Sequence, residues 1–199
     1  MDRRKYIFQF LVRLRDISPQ IWRRIQVPAT YTFWDLHVAI QDVMGWLDYH
    51  LHAFRIRDPH GDSIDEIGIP DDEPFEDQPP VFPGWEMKIA DYFIESGDVS
   101  SYEYDFGDGW EHEVILEAIS EREKGKKYPV CLSGARACPP EDCGGVSGYE
   151  DLLSTIADPK SEEYESTMEW LGGQYDPEHF NATEVKFDNP KTRWKIAFE

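Results

Sequence analysis

"YEYDFGDGWEHEV", residues 102–114, is the stretch whose reading decides the fold. Tyr102, Tyr104 and Phe106 alternate with Glu103 and Asp105, and beyond the glycines Trp110, His112 and Val114 alternate with Glu111 and Glu113. Period-two alternation marks a half-buried strand, and Gly107-Asp108-Gly109 is turn chemistry, so the segment predicts a β-hairpin. A three-residue loop with Gly109 left-handed sets Phe106 opposite Trp110, Tyr104 opposite His112 and Tyr102 opposite Val114. Every aromatic then shares one face, whereas a slip by one residue would mix the faces. The same register sets Asp105 across from Glu111 and Glu103 across from Glu113, which is destabilising unless something offsets it. Water, arginines of a neighbouring strand or a bound cation could do so.

Before the hairpin, "YIFQFLVRLR" (6–15) places Tyr6, Phe8, Phe10, Val12 and Leu14 on one face, and after Ser18-Pro19 "IWRRIQV" (21–27) reads as its antiparallel partner. "TFWDLHVAIQDVMG" (32–45) changes to helical spacing, with Thr32 as cap, Gly45 as stop and His37 on the apolar stripe. "HLHAFRIR" (50–57) returns to alternation, with His50 and His52 on one face. An acidic, proline-rich segment follows, predicted to hold at most a short strand near 64–69 and then a solvated loop. "MKIADYFIE" (87–95) is a short helix candidate. "REKGKKYP" (122–129) is a turn-like connector, Ser147 and Glu150 have capping-box spacing for a helix ended by Pro159, and "KSEEYESTMEWLGG" (160–173) gives another helix. The tail from 184 carries little signal.

The expected fold is therefore α+β: an antiparallel or mixed sheet with a helix after the second strand, a β-hairpin near 102–117 and a helical C-terminal third. A chain of 199 residues suits one domain, 1–199, with 1–120 sheet-rich and 121–199 a loop-rich helical elaboration.

Forty acids against 20 Lys and Arg give a net charge of −20, which argues against direct nucleic-acid binding. The charge is uneven: seven basic residues and two acids lie in 1–27, and ten acids with no Lys or Arg lie in 58–87. No apolar run has the ~18–20 residues a membrane span requires, and no signal peptide is read at the N-terminus. Cys131, Cys138 and Cys143, spaced C-x6-C-x4-C, fit reduced thiols in a cytoplasmic protein better than a disulfide framework or structural zinc.

Three sets of residues could carry chemistry. The hairpin acids Asp105, Asp108 and Glu111, with Glu113 and His112, are candidates for acid–base work or for a hard divalent cation. His37, His50, His52 and His112 could converge on a transition metal, for which imidazole is the common ligand. Trp22, Trp46, Trp85 and Trp110 could wall a cleft between the sheet and the late helices, with Arg23 or Arg24 as anion anchor for a small ligand or protein partner. Familiar motifs fail. "DFG" (105–107) stands without any other kinase element, "HEVIL" (112–116) has no second histidine, and "GGVSGYE" (144–150) has no P-loop lysine.

Taken together, "ISPQIWRRIQVP" (17–28), "DLHVAIQDVMGWLDYHLHAF" (35–54), "YEYDFGDGWEHEVILE" (102–117), "ACPPEDCGGVSGYEDLL" (137–153) and "WLGGQYDPEHF" (170–180) resemble the successive motifs of the plasmid pRiA4b ORF-3-like family, over roughly residues 5 to 187. The resemblance implies an α+β fold in a bacterial or archaeal protein of the kind found on plasmids, mobile elements and chromosomes. It transfers no activity and no residue roles. The mobile-element association suggests DNA, against which the charge stands. The two expectations carried forward are a binding module using the cleft and a metal-dependent hydrolase-like enzyme using the histidines or the hairpin acids.

Overall fold

The computed structural model describes residues 2–58, 60–71 and 79–199. Among them eight strands form one sheet: β1 (Tyr6–Leu14), β2 (Trp22–Pro28), β3 (His52–Arg57), β4 (Ile64–Gly68), β5 (Val81–Pro83), β6 (Val99–Tyr104), β7 (Trp110–Glu121) and β8 (Val130–Ala135). Their order is β5-β4-β3-β6-β7-β1-β2-β8, antiparallel throughout except for the β4–β5 pair. The helices are α1 (Phe33–Met44), α2 (Ile89–Tyr92), α3 (Gly145–Ala157), α4 (Tyr164–Trp170) and α5 (Pro190–Phe198). The fold is α+β, with a mixed sheet and a helix after the second strand. No helix among the described residues is long and apolar enough to cross a membrane.

One face of the sheet is the core. Phe8, Phe10, Val12 and Leu14 of β1, Ile25 and Val27 of β2, Phe54 and Ile56 of β3, and Tyr102, Tyr104, Trp110 and Val114 of the hairpin are all buried, each apolar side chain contributing about 1.5–3 kcal/mol. Helix α1 covers them. Thr32 and Asp35 form a reciprocal capping box at its start, and Gly45, at φ 90°, turns the chain out of it. Phe33 then meets Phe54 and Tyr92 edge to face.

The opposite face is charged and balanced. Arg13 pairs with Glu113, Arg15 reaches Glu111 and Glu113, Arg24 grips Glu117 with two bonds, and Arg55 bridges Glu66 and Glu103. The basic N-terminal strands thus offset the acidic face of the hairpin. These pairs are partly exposed, so each contributes about 0–1 kcal/mol. Glu113→Gln is accordingly expected to shift the urea midpoint by less than about 1 kcal/mol of stability; a larger loss would mark Glu113 as more than one member of a screened ladder.

Several expectations need correction. The hairpin pairs Tyr104 with Trp110, Glu103 with Glu111 and Tyr102 with His112, so the loop is five residues, Asp105 to Gly109. The offset from the expected register is two residues, which preserves the faces but changes the partners. Asp105 causes it. At φ 57° it leaves the ladder, its N–H donates to the Leu51 carbonyl, and its carboxylate accepts from the amides of Gly107 and Asp108. Gly109 is left-handed as expected, while Phe106 stands half-exposed at the tip.

Beyond the hairpin, β8 and β5 are strands the alternation did not predict, being short edge strands with weak patterns. Ser147 does not cap α3, which begins earlier, after Gly144. The tail forms α5, capped by Asn189 and opened by Pro190. The last third is helical only in pieces, with turns and irregular chain from 171 to 189. Most of the expected acidic loop falls on 72–78, outside the described residues.

Candidate functional site

At the end of the sheet where β3 begins and the hairpin turns, three connections converge: the α1–β3 loop (45–51), the hairpin tip (105–109) and the loop before α3 (136–144). They are stitched together by side chains. The Trp46 indole N–H donates to the Pro139 carbonyl at 3.0 Å, the Leu47 amide donates to Glu141 at 2.7 Å, and the Gly144 amide donates to Asp108 at 3.1 Å. Tyr104 completes the joint, accepting from the Tyr49 amide and donating to the Glu141 carboxylate. Burial holds the Glu141 carboxyl above the ordinary carboxylate range.

Within this joint His50, Asp105 and Asp142 meet, with one ligand atom from each lying within 4.8 Å of the others. His50 Nε2 is 3.1 Å from Asp142 Oδ1 and 3.6 Å from Asp105 Oδ2. That nitrogen is itself buried, yet it is hydrogen-bonded to neither carboxylate. Both aspartates occupy left-handed backbone, at φ 57° and 56°, a conformation costing a non-glycine residue about 1 kcal/mol or more. The close neighbours of an ion bound at ~2.0–2.1 Å lie about 2.8–3.4 Å apart in octahedral or tetrahedral geometry. The 3.1 Å distance falls within that spacing, and the 3.6 Å distance is slightly longer.

The second grouping is His37, Asp48 and His52. His37 Nε2 lies 2.8 Å from Asp48 and Nδ1 2.8 Å from the Tyr102 hydroxyl, which also accepts from Gln41 at 3.0 Å. A neutral His37 that donates to Asp48 and accepts from Tyr102 satisfies the network. His52 stacks on it, centroids 3.4 Å apart and planes within 8°. Burial and the neighbouring His37 push His52 well below the ordinary histidine range. Stacked imidazoles aim their in-plane lone pairs in parallel rather than at one point, and both nitrogens of His37 are already engaged. This pair is a buried network and a poor chelate.

The histidine set expected from sequence therefore divides. His37 joins His52, His50 joins Asp105, and His112 belongs to neither: it is fully buried under Trp46, its Nδ1 on the Tyr102 carbonyl and its Nε2 without a partner. Of the hairpin acids, Asp105 and Asp108 lie at the joint, whereas Glu111 points to Arg15 on the opposite face. The expected anion anchors are committed internally. Arg23 is buried, donates to the carbonyls of Trp22, Val43 and Ala135, and is covered by the Phe180 ring; Arg24 is held by Glu117 and lies over Trp22. Trp110 is core and Trp85 packs on Trp194.

Trp46 alone of the expected tryptophans lines an opening at the joint. It borders a cleft of about 440 Å³ with Leu47, Pro139, Pro140, Glu141 and Trp170, a volume in the range of small-molecule sites. Sequence reasoning missed Asp142, Glu141 and Asp48 as site residues. "PPED" ahead of paired glycines signalled a tight loop, but not which histidine that loop would meet.

The model of the plasmid pRiA4b ORF-3-like protein family matches residues 6–184. The uncharacterised protein y4hQ of Sinorhizobium fredii is 33% identical over 192 residues, covering 94% of each sequence. The crystal structure of a protein of unknown function, MM3350 from Methanosarcina mazei, is similar at a TM-score of 0.84 and 45% identity, covering 92% of this chain and 99% of that one.

Proposed function

The chain belongs to the plasmid pRiA4b ORF-3-like family, and from the joint inside that shared span we propose that it is a divalent-cation-dependent, hydrolase-like protein whose ion is held by His50, Asp105 and Asp142. One observation carries the reading: a buried imidazole nitrogen, 3.1 and 3.6 Å from two carboxylate oxygens, that is hydrogen-bonded to neither. The nitrogen stands at ion-pair distance from both carboxylates without an aligned hydrogen bond to either, and a bound cation would engage all three groups at once. One imidazole and two carboxylates suit a first-row ion such as Mn²⁺ or Zn²⁺ better than Ca²⁺.

A bound ion would supply Lewis acidity and a water of lowered pKa. The chain's own groups do the rest. Glu141, next to Asp142, presents a carboxylate at the cleft, and Tyr104 fixes its orientation. Trp46, Leu47 and the two prolines offer an apolar wall for the non-reacting part of a small substrate. The second reading, a binding module without chemistry, rests on that cleft alone, and loses the arginines that were to anchor its ligand. Either way we take the ligand to be a small molecule or protein rather than nucleic acid, given the −20 charge, and the protein to be cytoplasmic, in keeping with three free thiols.

The test is calorimetric titration of chelator-treated, untagged protein with Mn²⁺ and Zn²⁺. One-to-one binding, weakened at least tenfold in His50→Ala and in Asp105→Asn while both remain folded, is expected. Binding that neither substitution alters, or no binding at all, would sink the metal reading and leave the cleft as the protein's working surface.

A further inference from the structure

Helix α5 is held in an unusual way. None of its residues is buried, and Ile196 and Phe198 are exposed. A nine-residue helix is too short to persist on its own in water, so it stays because of what it touches. Two contacts dominate. The Trp34 indole donates to the Pro190 carbonyl at 3.0 Å while Trp194 and Phe198 pack against Trp34 and Trp85. The other is Arg193, whose guanidinium lies 3.0 Å from Asp42 Oδ1, 3.5 Å from Asp48 Oδ2 and 2.6 Å from Asp188 Oδ2.

The two contacts are unequal in kind. Asp188 is an exposed neighbour in the tail, but the Asp42 and Asp48 side chains are only 5% and 9% exposed and belong to α1 and its following loop. With Arg193 seated against both, they make an acidic pocket that is tied through Asp48 to His37. Asp42 also accepts from the Asp188 amide. Two nearly buried carboxylates side by side favour a cation, and a planar guanidinium turns a separate nitrogen to each, where an ammonium would have to serve both from one centre. Pocket and occupant also differ in their place along the chain: Asp42 and Asp48 lie inside the residues matched by the family model, 6–184, and α5 lies outside them.

We propose that the Asp42–Asp48 pocket is a guanidinium-binding site that α5 fills in cis through Arg193, and that displacing α5 opens it to an arginine, flanked by an aromatic residue, on a partner polypeptide. The partner's chemistry follows from the cis occupant, Arg193-Trp194, and from charge complementarity with a chain of net charge −20. Because no residue of α5 is itself buried, its displacement is feasible. This reading is independent of the cation site, which uses none of these side chains.

The test compares the full chain with its Arg193→Ala variant, folded by circular dichroism, using a labelled peptide of the sequence 187–199 followed by anisotropy. The variant is expected to bind it at least tenfold more tightly than the wild type, whose own α5 competes. A peptide with lysine in place of the arginine should bind at least fivefold more weakly, and Asp42→Asn added to the variant should abolish binding. Saturating the wild type with peptide should raise amide exchange across 190–198. If Arg193→Ala is unfolded, Arg193→Lys serves, with the same expected order. Equal affinity of the arginine and lysine peptides, or no binding to a folded variant, overturns the proposal. A concentration-dependent wild-type dimer that Arg193→Ala dissolves also overturns it, since the occupant would then be a second copy's α5.

Discussion

Replacing Arg23 by Ala is expected to cost about 3 kcal/mol or more of folding stability, while Arg24→Ala costs about 1 kcal/mol or less. The two residues are adjacent on β2 but face opposite sides of the sheet. Arg23 lies inside, donating to three carbonyls, two at 2.9 Å and one at 2.8 Å, and stacking 3.9 Å under Phe180. Removing it leaves a cavity, unpaired carbonyls and an unsupported ring. Burial lowers its pKa from the ordinary arginine range, but a guanidinium stays charged, so the carbonyl dipoles must be what compensates it. Lysine would not restore the fork of donors. Urea unfolding of the two variants checks this. A small loss for Arg23→Ala, accompanied by loss of ligand binding, would return Arg23 to the anion-anchor role expected from sequence.

The second large effect is acid sensitivity. Burial pushes His112 down to about 4 from an ordinary 6.5. The unfolded chain therefore binds its proton first as pH falls, and stability declines from about pH 6.5 toward pH 4. A displacement of that size corresponds to roughly 3 kcal/mol at most. His52, also depressed by burial, acts in the same direction. Asp42 acts oppositely: burial raises its carboxyl to about 6, so its protonation favours the folded state over much of the same window. The informative quantity is thus the difference in slope. Urea midpoints between pH 7 and pH 4.5 should fall less steeply for His112→Phe than for the wild type, even though the variant starts lower for want of the bond to the Tyr102 carbonyl. Parallel slopes would show that His112 is accessible to protons without unfolding.

Local pattern made much of the fold legible. Alternation at Tyr6–Leu14 placed β1, the change to helical spacing at Phe33 placed α1 and turned His37 inward, and the glycines of 107–109 placed the hairpin. What failed depended on contacts distant in sequence. The hairpin register turns on the Asp105 amide meeting the Leu51 carbonyl, which no pattern within the hairpin encodes. His50 meets Asp142 across more than ninety positions, so the histidines could be named as ligands but not sorted into groups. The tail from 184 gave no helix, because what holds α5 is Arg193 reaching back to Asp42 and Asp48 rather than any local pattern. The family, by contrast, was readable from five motifs in order.

The strand order also constrains how the molecule comes together. A ribosome releases β1, β2, α1, β3 and β4 in succession, yet β1 and β3 are not neighbours; β6 and β7 separate them. The emerging chain therefore holds two ribbons, β1–β2 and β3–β4, that have no hydrogen bonds to share. Both must wait with their facing edges open until the hairpin arrives and slots between them, pairing β6 with β3 and β7 with β1. Such non-local closure is slow, on the order of milliseconds to seconds, and open edges are where newly made chains associate wrongly. The left-handed Asp105 and Gly109 that shape the tip also help form the one piece able to join the halves. Damage to that turn would appear first as poor assembly during synthesis, ahead of any fault in the finished protein.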